Sequence, residues 1–464
     1  MAKKGLFLSK NKQTKLKTIL LKLLSLIILL FSGGVIHAQN QKNVFLLDNW
    51  TDAAIEKGLG DAVFNDVWGF AFNGANYCAM GSSIGTHIFK VGETELELID
   101  FEPGSYQNRY VEHRDYKVYQ NYLYGVCDEG ESSLQIFDLS YLPDSVHKVT
   151  DHDAFFNVCH NIFIDTINAK LYACAANELG MLVLDISNPV EPILDYFMTE
   201  LSYVHDCYVR NDTAYLNAGF EGLHIYNFAG DVPVELGILD FYPNQGYNHS
   251  GWLSPDGSKY AFIDETEGTK IKLCETDELA LISISETFAT SDYENFVPHN
   301  VILLDNLAFI SYYNEGFRIF DISKAPIKEI GVYDTFLEDT KYKLNGAWGV
   351  YVFEEQNQIL VSDRQSGLFL FSFPIQVLNV DKEGTYVTNS PLIDANSVLI
   401  PRENLGSDDV TFTIAAADGR IVYDQANFLN YVNIPLTLAA GTYIYAIYDE
   451  FGDLIEGGKF VKAN

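Results

Sequence analysis

Imidazole and indole side chains recur along this chain at a nearly constant interval, and their types and spacing could support binding chemistry. Successive members are 45, 47, 45, 44, 50 and 49 residues apart. Imidazoles that converge on one point can bind a transition metal or a carboxylate, and indoles can stack on a planar or sugar ring. The recurring residues are Trp68, His113, His160, His205, His249, His299 and Trp348.

The same recurrence also has a purely structural interpretation. A His repeated once per unit can hydrogen-bond a neighbouring backbone group or a nearby acid or amide, and so stabilise each unit in the same way. The polar neighbours available for this are Asp115, Asn161, Asp206 and Asn300. The spacing alone does not separate a binding ring from a structural one.

The segments that follow these residues repeat as well, and they indicate how the chain positions them. Each unit has four short apolar segments, and a small residue stands before the third. A period of about 45 residues with four strands per unit is typical of a β-propeller, whose units must stack radially because one unit cannot bury both faces of its sheet. The small residues are Gly85, Ser133, Gly180, Gly222, Gly268, Gly316 and Gly367.

We therefore predict an all-β chain with a seven-bladed β-propeller over residues 43–373. In such a fold the recurring His and Trp residues start the first strands and ring one mouth of the central channel. Residues 43–50 read as an outer strand without a blade of their own, whereas blade seven lacks a convincing fourth strand. We expect residues 43–50 to fill that place, because this closes the ring and removes an exposed sheet edge.

The amino-terminal residues read as a targeting segment rather than as part of the fold. Residues 1–38 combine a lysine-rich start, a short apolar run and small residues before a cleavage point, which predicts a secretory signal peptide. The apolar run is too short to span a membrane. The sequence therefore predicts an exported mature chain with no transmembrane span.

After residue 373 the period stops. Residues 374–384 read as a linker, and residues 385–464 contain alternating apolar strands separated by Asp-Gly and Phe-Gly turns at 418–419 and 451–452. This pattern predicts a small carboxy-terminal β-sandwich.

The charge of the chain limits its partners. With 63 acidic and 30 basic residues the formal net charge is −33, so nucleic acids and anionic lipid surfaces are poor partners. The sequence contains no EF-hand loop, RTX repeat or CxxC pair, so we expect no cofactor, although Ca²⁺ at some of the carboxylates or a transition metal at the His ring stays open. It also contains no H-E-x-x-H or nucleotide-binding motif, and no catalytic residue is nominated.

Several stretches resemble the choice-of-anchor B family of exported proteins. These are NDVWGF, NHSGWLSPDGSKYAFIDE, PHNVILLDNLAFISYYNEGFRIFDIS and GAWGVYVF…QILVSDRQSGLFLF, and MLVLDIS and FRIFDIS resemble its LVIVD-type repeats. The resemblance covers residues 43–373. It implies a propeller that occurs with different carboxy-terminal anchoring signals, in a family with no agreed biochemical activity.

The tail resembles the type A sorting domain of the Bacteroidetes type IX secretion system. It has the L-x-x-G-x-Y strand at Leu438, Gly441 and Tyr443, a following turn with Gly, and a GKFVK end. The resemblance implies that the type IX machinery is a partner. It also implies that the mature protein is secreted or attached to the outer-membrane surface after the tail is removed.

Three functions are consistent with these features. The first is a non-enzymatic binding module that recognises an unknown protein or glycan through one face of the propeller. The second is an extracellular carbohydrate-active enzyme that uses acids at the channel mouth, and the third is a metal-dependent enzyme or metal carrier that uses the His ring. The absence of a catalytic motif favours the binding module.

Overall fold

The protein is described by a computed structural model. The described residues are 41–178, 180–291, 293–337 and 343–373, together with strands between residues 392 and 462. The predicted signal peptide (1–38) and linker (374–384) lie outside the described residues. In the part of the chain that the structure describes, no helix is long and apolar enough to cross a membrane.

Seven antiparallel sheets follow one another along the chain and confirm the seven-bladed β-propeller. The first strands of successive blades contact one another in a closed cycle, so they surround the channel. Blades one to three comprise Phe64–Phe72, Ala75–Ser82, Gly85–Val91 and Leu96–Pro103; Arg114–Tyr119, Tyr122–Cys127, Leu134–Asp138 and His147–His152; and Asn161–Asp165, Lys170–Cys174, Met181–Asp185 and Ile193–Met198.

The remaining four blades follow the same order. They comprise Asp206–Arg210, Thr213–Asn217, Leu223–Asn227 and Val234–Leu239; Asn248–Leu253, Lys259–Asp264, Ile271–Glu275 and Ile284–Phe288; Asn300–Leu304, Leu307–Ser311, Phe317–Asp321 and Lys328–Tyr333; and Ala347–Phe353, Gln358–Asp363 and Gly367–Ser372 with Phe45–Trp50. Short 3-10 helices lie at Leu59–Asp61, Leu139–Tyr141, Ala176–Glu178, Leu279–Leu281 and Tyr293–Asn295.

Blade three shows why these residues form strands. Nearly every residue of Lys170–Cys174 and Met181–Asp185 is apolar and buried, because a neighbouring blade covers each face of the sheet. The outer strand Ile193–Met198 is mostly exposed. Ile136 of blade two packs in one cluster with Ile162 of blade three, so the core lies between blades.

The repeated small residue before the third strand is explained by a close backbone approach. At Gly316 the backbone has φ +73°, and a Cβ atom there would lie 2.4 Å from the carbonyl oxygen of Tyr333. At Gly367, with φ +92°, a Cβ would lie 2.1 Å from the carbonyl oxygen of Trp50. A larger side chain would separate the third strand from the end of the fourth.

The predicted closure of the ring is confirmed. Phe45–Trp50 pairs antiparallel with Gly367–Ser372 as the outer strand of blade seven. The preceding strand Gln41–Lys42 was not predicted; it pairs with Lys328–Tyr333 and gives blade six a fifth strand. Asn43 adopts φ 57° between the two strands, a conformation that Asn tolerates better than most residues, and so carries the chain from one blade to the next.

Two further sheets lie in the carboxy-terminal part of the chain. One contains Leu392–Ile393, Ser397–Leu399 and Tyr431–Asn433, and the other contains Thr411–Ala416, Ile421–Ala426, Gly441–Tyr448 and Leu454–Lys462. In the second sheet Ile414, Tyr443 and Tyr445 are buried on one face. The predicted turns at 418–419 and 451–452 lie outside the described residues, but the strands on either side of each pair antiparallel.

The closure predicts a large loss of stability on truncation. Deletion of residues 39–50 from a chain that begins at residue 39 removes the buried Val44, as well as Trp50, whose ring lies 4.8 Å from that of Phe89. The free energy of unfolding should fall by about 3 kcal/mol or more, measured by urea unfolding. Deletion of residues 39–42 alone is the control, and it should change stability by less than about 1 kcal/mol. Equal effects of the two deletions would contradict closure by Phe45–Trp50.

Candidate binding site at the channel mouth

Six of the seven recurring side chains form a closed ring at one end of the channel. Each ring centroid stands between 4.2 and 5.3 Å from the next, and the last member returns to the first. We call this set the mouth ring; its members are His113, His160, His205, His249, His299 and Trp348. The side chains are in contact, so the mouth is narrow and closed by imidazoles.

The prediction that Trp68 belongs to this ring is wrong. In blade one Phe64 pairs with Ser82, and the register shifts before Val67; in blade seven Ala347 pairs with Asp363, and the register shifts before Val350. The residue equivalent to Trp348 is therefore Asn65, which is buried.

Trp68 instead lies deeper in the channel. Its ring is 5.1 Å from that of Tyr351 and 6.3 Å from that of Trp252. The ammonium of Lys117 stands 4.2 Å from its centroid, a cation–π contact. The tryptophan thus holds a buried cation in place rather than contributing to the mouth.

The first two imidazoles of the mouth ring are paired with acids. His113 Nδ1 lies 2.6 Å from Glu129 Oε1, and His160 Nδ1 lies 2.7 Å from Asp128 Oδ2. Burial opposes a charge on His113, but the hydrogen bond and charge of Glu129 outweigh it, so the pKa of His113 is raised. His113 therefore favours the imidazolium form.

The imidazoles of His205 and His299 hydrogen-bond to backbone carbonyl groups instead of acids. His205 Nδ1 donates to the carbonyl oxygen of His249 at 3.0 Å, and His299 Nδ1 donates to that of Trp348 at 2.8 Å. Since a carbonyl can only accept, each Nδ1 carries the hydrogen, and the Nε2 of a neutral ring keeps its lone pair.

Burial and the neighbouring imidazoles lower the pKa values of His205 and His299 well below the ordinary value. Burial likewise lowers the pKa of His249 to about 4, against the opposing charge of Glu265. Unlike His113, the imidazoles of this half of the mouth ring, which we call the neutral half, are uncharged.

Aromatic and charged side chains surround the mouth ring. The guanidinium of Arg364 stands 4.9 Å from the Trp348 centroid and binds Glu112 at 2.5 Å. Tyr313 lies 4.7 Å from His299 by ring centroids, and its hydroxyl donates to Glu265 Oε1 at 2.5 Å.

Below the mouth ring the channel contains three carboxylates and one ammonium. Lys117 Nζ donates to Asp115 Oδ1 at 2.7 Å, beside Asp66 and Asp206, in a cavity of about 60 Å³. Burial and the charge of Asp115 raise the pKa of Asp66 well above its ordinary value, and burial raises that of Asp206 to about 7. The cavity has room for a few water molecules, so ions and water suit it better than a sugar ring does.

Two groups of side chains in the described part of the chain could hold a metal ion. They are His113, Asp128 and His160 in the acid-paired half, and His249, Glu265 and His299 in the neutral half. Within each group, one ligand atom per residue lies within 4.8 Å of the others. Imidazole with carboxylate suits Zn²⁺ and neighbouring transition metals better than Ca²⁺, which prefers oxygen ligands alone.

These features define the class of protein: the chain is a seven-bladed β-propeller whose channel mouth is closed by imidazoles, a fold suited to binding. It is similar to the solved structures of U3-55K and of the WD40 repeats of RRP9, each at TM-score 0.51 and 8% identity. The alignments cover 71% of this chain and 98% of the first, and 72% of this chain and 99% of the second. At such identity the similarity establishes the fold alone. No family model and no curated protein matches the chain.

The low pKa of His249 predicts a pH dependence of stability. Between about pH 6.5 and about pH 4 the unfolded chain takes up a proton at His249 that the folded protein does not, so acidification lowers the free energy of unfolding. H249Q removes this contribution, and its loss of stability on acidification should be smaller than the parent's by on the order of 3 kcal/mol.

The measurement is urea unfolding at pH 7 and pH 4.5, in buffer with a chelator so that metal binding does not contribute. His113, His160 and Glu265 also act on His249 and remain in both proteins. Parallel pH profiles for parent and variant would show that His249 is not held neutral by burial.

Proposed function

We propose that the protein is an exported, non-catalytic binding module that engages a partner protein through the mouth face of its propeller. The mouth face consists of the mouth ring and the loops on the same side of the blades. The fold is rigid and suited to binding, and the exposed aromatic side chains of these loops are the observation that carries the proposal.

Two aromatic residues stand out on the mouth face. Phe220, in the turn between Thr213–Asn217 and Leu223–Asn227, is 79% exposed, and Phe241, in the loop that leads to the next blade, is 87% exposed. Phe220 packs at its edge on Tyr247, whose ring is 5.3 Å from His205 of the mouth ring. An aromatic anchor on a rigid scaffold is typical of binding hot spots, because little side-chain freedom is lost on docking.

The charge of the mouth face indicates the kind of partner. Partly exposed carboxylates flank the mouth ring, namely Glu112, Asp128, Glu129 and Glu265. The chain as a whole carries −33. A protein surface with apolar and basic side chains complements both the aromatic anchors and this charge.

The enzymatic alternative receives less support from the geometry. The carboxylates that could act as acid and base, Asp66, Asp115 and Asp206, line the cavity of about 60 Å³. Small-molecule pockets measure about 300–1,000 Å³. A carbohydrate-active enzyme therefore stays a prediction from sequence, and a glycan ligand is retained as a second outcome of the binding test.

Export is part of the proposal and rests on the sequence. The basic and apolar pattern of residues 1–38 supports a signal peptide, and the strand motif around Gly441 and Tyr443 supports a sorting domain over residues 385–464. The type IX machinery is the proposed partner of this tail, and release or surface attachment is the proposed fate of the propeller.

The binding proposal predicts that the mouth-face aromatics dominate affinity. The mature protein should bind one or more members of a panel of purified extracellular proteins in biolayer interferometry. The double variant F220A/F241A should weaken that binding at least about tenfold, because both side chains are exposed anchors.

The matched control is I167A/L281A. Ile167 and Leu281 are 72% and 70% exposed in loops at the opposite end of the blades, and their loss should leave affinity unchanged. Equal weakening by both variants would exclude the mouth face as the docking site. If the protein binds members of a parallel glycan array and none of the extracellular proteins, the partner is a glycan.

The export proposal predicts a separable tail. The described strands of the tail form sheets apart from those of the seven blades, so deletion of residues 385–464 should leave a folded propeller stranded in the periplasm. Cell fractionation with antibody detection measures its location, and the full-length chain is the reference. The truncated protein at normal levels on the cell surface would contradict a sorting function.

A further inference from the structure

We propose that His249, His299 and Glu265 bind one divalent transition-metal ion of the Zn²⁺ type at the channel mouth. The site would have two imidazole nitrogens and one carboxylate oxygen, with a further position left open. Two His with one carboxylate is a donor set that proteins use for Zn²⁺ and Fe²⁺. The inference goes beyond the proposed partner binding and does not depend on it.

The three side chains already lie close to a coordinating arrangement. His249 Nε2 is 3.9 Å from Glu265 Oε2, and one ligand atom from each of the three residues lies within 4.8 Å of the others. Ligand atoms around a tetrahedral ion with bonds of about 2.1 Å stand about 3.4 Å apart. Side-chain movements of about 1 Å or less therefore complete the site.

The hydrogen bonds of His299 and Glu265 leave their coordinating atoms available. Because His299 Nδ1 donates to the Trp348 carbonyl, the Nε2 of the neutral ring keeps its lone pair. Glu265 uses Oε1 to accept from Tyr313, so Oε2 is the oxygen that faces His249. Metal-binding His and carboxylate side chains are oriented by such outer hydrogen bonds in most known sites.

Position and access also suit an ion. His249 and His299 line a cavity of about 20 Å³ together with His113 and His160, whereas Glu265 is not among its lining residues. The Glu265 side chain is 20% exposed, so an ion can reach it from solvent. The nearby cation Arg364 is paired with Glu112 at 2.5 Å, which offsets its repulsion.

The acid-paired half of the mouth ring is less suited to a metal, although its composition is similar. The Nδ1 atoms of His113 and His160 are each engaged by a carboxylate, Glu129 and Asp128. Asp128, the carboxylate of that group, is therefore already hydrogen-bonded to one of the imidazoles with which it would share an ion. In the neutral half Glu265 Oε2 stands 3.9 Å from His249 Nε2, which is beyond hydrogen-bond distance.

The test is metal binding by the mature protein after treatment with a chelator. Zn²⁺ is added in isothermal titration calorimetry, and Co²⁺ is added as a spectroscopic probe whose visible absorption reports nitrogen and oxygen ligands. We expect one equivalent of either ion. E265Q should lower affinity at least about tenfold, and Y313F should lower it less, because Tyr313 only orients the carboxylate.

E129Q is the matched control, since it makes the same change in the acid-paired half, and it should leave affinity within about twofold. Thermal melts without metal establish that each variant is folded, and E265Q is preferred to a His variant because Glu265 is partly exposed. Failure of the parent to take up Zn²⁺ and Co²⁺ would overturn the inference. So would E129Q weakening binding as much as E265Q.

Discussion

Burial between neighbouring blades is the interaction on which the rest of this structure depends. A strand such as Lys170–Cys174 is apolar on both faces, so its sheet is stable when another sheet covers each side. Seven sheets meet this requirement by closing on themselves, and closure places the start of every first strand around one axis. The mouth ring therefore follows from the packing of the blades. The core determines where six side chains converge, and the residue types of those side chains determine which ligands they can bind.

Similar imidazoles in equivalent places acquire opposite properties because their hydrogen-bond partners differ. Glu129 favours a charge on His113, whereas burial and the neighbouring His249 hold His299 neutral against its hydrogen bond to the Trp348 carbonyl. The same residue type at equivalent positions therefore does not imply the same protonation state. For His113 the acid at Nδ1 outweighs burial, and for His299 burial prevails.

The fold was largely predictable from sequence, and the site only in part. The interval of about 45 residues and the small residue before each third strand indicate the blade number, and the unpaired segment at 43–50 indicates the closure. Six of the seven predicted ring members follow from the same interval. Trp68 does not, because the register shift after Phe64 gives Asn65 the position equivalent to Trp348 and moves the tryptophan inward.

The hydrogen-bond partners of the ring were less predictable. Asp115 and Asp206, which the sequence offers as acids beside His residues, line the channel cavity instead. The acids that do pair, Asp128 and Glu129, follow a second strand and approach the ring only in the folded blades.

The closing strand also has a consequence for folding. Asn49 bonds Leu368 across 319 positions of sequence, whereas strands within a blade pair locally. Six blades can form from contiguous segments of the chain, but blade seven needs strands from both ends of the propeller sequence. Its completion therefore forms the contacts with the largest sequence separation. Until then its outer edge stays unpaired.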